Sequence, residues 1–87
     1  MSKYRKKPIE IEACQMGTDD SYYGAAPQWV LIAIKADRVK LTPDGFEVKT
    51  DEGTMIGVGG DYLIRGVEGE LYPCRLSVFQ ATYEPVE

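Results

Sequence analysis

The sequence predicts an α+β fold in a single domain: a small antiparallel sheet of about four or five short strands, with one longer and one short helix. Three observations carry that expectation. The run Phe46-Glu47-Val48-Lys49-Thr50 alternates apolar and polar side chains between two turn formers, PDG (Pro43 to Gly45) and DEG (Asp51 to Gly53), which is a hairpin signature. The apolar run from Trp29 to Ile34 follows Pro27, a residue suited to the first turn of a helix. Leu76, Phe79 and Tyr83 recur at i, i+3 and i+7, the spacing of one helical face. A chain of 87 residues supports one modest core, because folding at this size hides only about 64% of the chain's surface.

The elements follow in order. From Tyr4 to Gln15 the pattern alternates in part, with Ile9, Ile11 and Ala13 on one side and Glu10, Glu12 and Cys14 on the other. This reads as a half-buried edge strand, where the missing N–H of Pro8 is tolerable. Gly17 to Gly24 (GTDDSYYG) is a polar cluster of turn formers, hence a loop. AAPQWVLIAIKAD then reads as the longer helix, with Lys35 and Arg38 placed to complement the macrodipole at its end. Val30, Ile32 and Ile34 are β-branched, so a strand from Trp29 to Ile34 competes with the helix. A helix apolar all round is buried on more than one side. A domain this small lacks that much cover, so the segment implies a homo-oligomer. From Val39 onward the pattern is antiparallel. Thr54 to Val58 pairs back on residues 46–50, Gly59-Gly60 breaks it, and Asp61 to Arg65 forms the next strand. A turn at Gly66 to Gly69 leads into Glu70-Leu71-Tyr72, which Pro73 ends, and the short helix spans Arg75 to about Thr82.

The sequence contains no histidine. That excludes a histidine triad, a histidine general base near neutral pH and mixed histidine–cysteine zinc sites. Two cysteines, Cys14 and Cys74, cannot build a four-cysteine zinc cage. The expectation is therefore a protein with no cofactor and no metal, and not an enzyme. The net charge of −4 is unevenly divided, since residues 41–87 hold three basic and nine acidic side chains. The basic excess is concentrated in Lys3, Arg5, Lys6 and Lys7. Four cations in five positions suit either a solvated edge-strand start or an anion site. The acidic remainder disfavours duplex DNA. No apolar run approaches the ~18–20 residues of a membrane span, and the N-terminus lacks the apolar stretch of a secretory signal. Two reduced thiols in a cytoplasm are expected.

The two ends of the chain carry long motifs. Tyr4-Arg5-Lys6-Lys7-Pro8-Ile9-Glu10-Ile11-Glu12-Ala13 opens it. Gly60-Asp61-Tyr62-Leu63-Ile64-Arg65-Gly66-Val67-Glu68-Gly69-Glu70-Leu71-Tyr72-Pro73-Cys74, then Phe79 and Thr82-Tyr83-Glu84, close it. These strings resemble a family of small proteins encoded by tailed bacteriophages and prophages, with a YRKKPxxIEA start and a GDYxIRGxxGExYPC…FxxTYE end. The resemblance covers about 35 of the 87 residues. It implies a phage origin, a location in the host cytoplasm and a role of the kind small phage accessory proteins play against host defences. It implies no reaction. Gly59 stands where the family usually has a proline, which predicts a looser entry into the strand that follows. Residues 14–45 match the family poorly.

Several constellations invite chemistry. On a strand beginning at Asp61, Arg65 shares a face with Leu63, while Tyr62 and Ile64 take the other. Glu70, across the turn, is placed to pair with Arg65 as an exposed ion pair. Alternatively, Arg65 offers its planar fork to a phosphate while Tyr62 or Tyr72 stacks on a base. Cys74 precedes a helix whose N-terminus can lower a thiol pKa, although a small core residue is the simpler reading. Gly57-Val58-Gly59-Gly60 fits neither a dinucleotide fingerprint nor a P-loop and reads as a turn. Asp19-Asp20 and Asp51-Glu52 lack calcium-loop spacing and read as solvated loops. Tyr22, Tyr23, Trp29 and Ile32 suit a partner or oligomer interface.

Two binding functions lead, ahead of a third class, a histidine-free enzyme using carboxylates or Cys74. One is a non-catalytic protein sequestering a small anionic, nucleotide-like signalling molecule with Arg5, Lys6, Lys7, Tyr62, Arg65 and Tyr72. The other is an adaptor or inhibitor of a host or phage protein, working through the aromatic loop and the apolar segment from Trp29 to Ile34.

Overall fold

Turn chemistry decides the first half of the fold. The computed structural model describes residues 2–4, 9–17 and 26–86. Its elements are β1 (Glu12–Gln15), α1 (Gln28–Lys35), β2 (Val39–Thr42), β3 (Gly45–Thr50), β4 (Gly53–Val58), β5 (Tyr62–Arg65), β6 (Leu71–Cys74) and α2 (Leu76–Thr82). The fold is α+β, as the patterns predict. However, it has six strands in two three-stranded antiparallel sheets, ordered β2-β3-β4 and β1-β5-β6, where the sequence led to one sheet of four or five. The division falls at Gly59-Gly60. Gly60 adopts φ +96°, a conformation that costs glycine little, and the chain leaves the first sheet there. β5 then pairs with β1 instead of continuing beside β4.

In the β2-β3-β4 meander, the alternation of residues 46–50 sends Phe46 and Val48 inward, both fully buried, and Glu47 and Lys49 outward. Gly57 lies directly opposite Phe46, and the Phe46 ring occupies the space where a Cβ on residue 57 would stand. Gly57 is therefore not part of a turn, as its glycine-rich run suggested. It is a strand residue that makes room for an aromatic ring. Gly59 donates its N–H to Asp44 O at 2.9 Å, which carries the ladder one residue past β4. A proline here has no such donor, so Gly59 ties the entry into β5 down instead of loosening it.

The other sheet is covered on both faces. Opposed residues share a face, so Glu12, Cys14, Leu63, Arg65, Leu71 and Pro73 point one way and Ala13, Tyr62, Ile64, Tyr72 and Cys74 the other. The first face meets the meander and α1 around a core of Cys14, Met16, Val30, Ala33, Val39, Phe46, Val48, Leu63 and Leu71. Ile64, equally buried, lies on the second face, where Phe79 of α2 stacks on Tyr62. The strand expected from Tyr4 to Gln15 contracts to four residues, and Pro8 lies outside the described residues. Pro73 sits inside β6 and does not end it. The edge position of β6 leaves its missing N–H without consequence. Cys14 and Cys74 are both free and on opposite faces, which precludes a bridge between them.

Residues 28–35 are helical, so the helical reading holds over the strand. Packing on Val30 and Ala33, with Trp29 and Ile34 half-buried, outweighs the β-branched propensity. The helix closes in a Schellman pattern, with Arg38 N–H on Ala33 O at 2.9 Å and Asp37 N–H on Ile34 O at 3.1 Å. Asp37 takes the left-handed position at φ 65° where glycine is usual, and its carboxylate meets the Lys49 ammonium at 3.1 Å. The helix is not wrapped on every side, for Leu31 and Ile32 remain 41% and 58% exposed.

The start of α2 hangs on a side chain from another element. Asp61 Oδ1 accepts the Leu76 N–H and Oδ2 accepts the Val58 N–H, both at 3.1 Å. Its own backbone N–H and C=O bond to Val58 and Met16. Asp61 thus joins β4, β1 and α2. Asp61→Ala is expected to cost about 1–2 kcal/mol, the worth of a lost helix cap. Urea denaturation should show a lower midpoint at unchanged slope, with Asp61→Asn retaining part of the loss.

Candidate functional site

The Schellman turn aims Arg38 back across the end of α1, and β5 ends on Arg65. Between these cations, α1 and the β5–β6 turn enclose a groove of about 510 Å³. Buried Ala33 and Leu71 form its floor, half-buried Trp29 and exposed Ile32 its helical wall, and Glu68 and Gly69 its far rim. Arg38 Nη2 donates to Gly69 O at 3.1 Å, and Arg65 Nη1 donates to Glu12 Oε1 at 3.1 Å. Each of these bonds uses one of five guanidinium donors. The Arg65–Glu12 pair is exposed at 43% and 58%, so it is worth about 0–1 kcal/mol and is readily exchanged for a phosphate. An indole, an apolar floor and two guanidinium groups supply surfaces that can stack a planar ring and hold anionic oxygens.

Two other concavities carry acidic side chains and no basic one. A groove of about 330 Å³ beside Phe79 and Tyr83 is rimmed by Glu10 and Glu84. A smaller one of about 200 Å³ beside Tyr72 is rimmed by Glu70. Both repel anions.

The expected site residues separate. Trp29, Ile32 and Arg65 come together in the groove. Tyr62 and Tyr72 lie on the opposite face of the sheet from Arg65, so neither tyrosine can stack on a base whose phosphate Arg65 holds. Tyr62 is instead stacked on Phe79, with centroids 3.7 Å apart and planes 8° from parallel, and Phe79 continues onto Tyr83 at 5.1 Å. Arg5, Lys6, Lys7, Tyr22 and Tyr23 lie outside the described residues, as do Asp19 and Asp20. Glu70 does not pair with Arg65. The register sets Leu71 opposite Arg65, which puts Glu70 on the other face, where its carboxylate folds over Gly66 and accepts the Glu68 N–H at 3.1 Å. The sequence marks Arg38 only as a helix-end cation. Its partner Gly69 is 31 residues away, and no local pattern announces such a contact.

The thiols are quiet. Burial pushes Cys14 up, and burial together with the Asp61 carboxylate pushes Cys74 up, contrary to the lowering expected from the helix N-terminus. Among the described residues no three cysteine, aspartate or glutamate side chains are grouped to hold a metal, and no helix is long and apolar enough to cross a membrane.

Burial, a hydrogen bond with Tyr83 and nearby negative charge push Tyr72 up to about 12. A raised phenol holds its proton more tightly when folded, so its contribution is complete below pH ~10 and is lost as pH rises toward 12. Wild type should therefore lose more stability than Tyr72→Phe between pH 10 and 12, read as the difference between their denaturation midpoints.

Compared with protein-family models, with curated proteins and with solved structures, the chain gives no match to any of the three.

Proposed function

We propose that this chain is a phage-encoded, non-catalytic binding protein that captures an anionic, nucleotide-type signalling molecule in the groove between α1 and the β5–β6 turn. The observation that carries the reading is the convergence of Trp29, Arg38 and Arg65 on one groove of about 510 Å³, within the size range of small-molecule sites. The phage-like terminal motifs support a target made by the host, and sequestration in the host cytoplasm follows from that reading. The experiment is a thermal-shift and calorimetry panel of cyclic nucleotides and ADP-ribose derivatives. A ligand binding only the folded protein adds about 2.7 kcal/mol of stability at 100-fold excess over Kd. The expected result is a saturable rise in Tm for a phosphate-bearing nucleotide and none for its nucleoside. No rise across the panel contradicts the proposal.

A second reading draws on the exposed Leu31 and Ile32 beside the same groove. It is an adaptor that docks a protein partner there, and it predicts a stoichiometric protein, instead of a nucleotide, retained after affinity capture.

A further inference from the structure

β4 is the outer strand of its sheet. In an antiparallel ladder the N–H and C=O of alternate residues point away from the neighbouring strand. The Gly59 N–H bond to its opposite residue Asp44 fixes which residues these are. Gly57, Met55 and Gly53 bond to β3, while Thr54, Ile56 and Val58 turn their backbone groups outward. Asp61 already takes both groups of Val58: its N–H donates to Val58 O, and its carboxylate accepts the Val58 N–H. Thr54 and Ile56 each keep an outward donor and acceptor with no partner among the described residues. Edge strands are ordinarily protected by charge, proline or a bulge. From Gly53 to Gly60 there is no charged residue and no proline, and Ile56 is 75% exposed.

We propose that β4 pairs antiparallel with β4 of a second copy of this chain about a two-fold axis at Met55, joining the two meanders into one six-stranded sheet. In this register Thr54 of each copy lies opposite Ile56 of the other, and the two pairs exchange four N–H···O=C bonds that use every free group. Pairing stops at Val58, where Asp61 occupies the edge. The outer-face charges agree with the same register. Glu47 lies beside Ile56 and Lys49 beside Thr54, so each row across the joined sheet runs Glu47, Ile56, then Thr54 and Lys49 of the second copy. Opposite charges thus face each other across three strand spacings, about 14 Å between backbones, a gap that the long side chains narrow. Pairing about Ile56 instead places Glu47 toward Glu47 of the second copy and competes with Asp61 for Val58. The interface is distinct from the α1 segment that the apolar run had suggested.

Sedimentation equilibrium of the purified chain is expected to give a concentration-dependent dimer at twice the 9.7 kDa chain mass. Ile56→Lys adds a charge on an exposed side chain, and Thr54→Pro removes one outward donor while sparing the bonds to β3. Both should sediment as monomers with wild-type circular dichroism. Met55→Cys in a Cys74→Ser background should form a disulfide-linked dimer on mild oxidation, since facing residues of a non-hydrogen-bonded pair have Cα atoms about 4.5 Å apart. This readout holds even if Thr54→Pro folds poorly. A wild type that remains monomeric at every concentration, a dimer that survives Ile56→Lys, or a Met55→Cys chain that does not cross-link overturns the proposal.

Discussion

Replacing Phe46 with alanine is expected to remove about 3–5 kcal/mol of stability, the cost of truncating a fully buried aromatic. A domain of this length has about 4–13 kcal/mol in total, so this one change takes a large part of it. Phe46 is fully buried among core side chains from the meander, α1 and the β1-β5-β6 sheet, and its ring lies over Gly57, where a Cβ would overlap it. Gly57→Ala should therefore also destabilise, by about 1–3 kcal/mol through overpacking. The two effects are coupled through the same space. In a Phe46→Leu background, Gly57→Ala should cost clearly less than in wild type, a non-additivity that a double-mutant cycle in urea reads directly. Additive costs would show that the glycine is there for some other reason.

The second large effect concerns binding. Arg38→Ala and Arg65→Ala each remove a guanidinium from the rim of the groove, and a charge-assisted hydrogen bond is worth about 1.5–3 kcal/mol. Affinity for the proposed nucleotide ligand is expected to fall roughly 10- to 100-fold in each variant by calorimetry, while Tm without ligand stays near wild type. Stability is spared because the ion pair lost from Arg65 is exposed and worth about 0–1 kcal/mol. Lysine at either position should rescue affinity only in part, since its point charge cannot reproduce a planar fork.

These two predictions rest on different parts of what the sequence disclosed. The meander was legible because its determinants are local: DEG and the alternation of residues 46–50 fix turn, register and inward face together. The partition into two sheets was not. It depends on β1 reaching β5 across the chain, with Glu12 opposite Arg65 and Gln15 opposite Tyr62, and no local pattern encodes a pairing so distant. The same gap explains the site. Parity along residues 61–65 correctly separated Arg65 from Tyr62, yet the sequence could not show that Arg65 would meet Glu12 in place of Glu70, or that Arg38 would bond Gly69 from the far side of the groove. The sequence marks Trp29 as an apolar helix residue with interface character. It becomes a site residue only because α1 and the β5–β6 turn line the same groove.

Trp29 is the chain's single tryptophan and lines the groove, so indole fluorescence reports occupancy there without a label. Titrating phosphate-bearing nucleotides against the full chain while exciting the indole selectively tests groove capture most directly. The expected result is saturable quenching by one nucleotide class, weakened by added salt and by Arg38→Ala or Arg65→Ala. Fluorescence that is unchanged across the panel, or quenching that persists when both arginines are replaced, contradicts it.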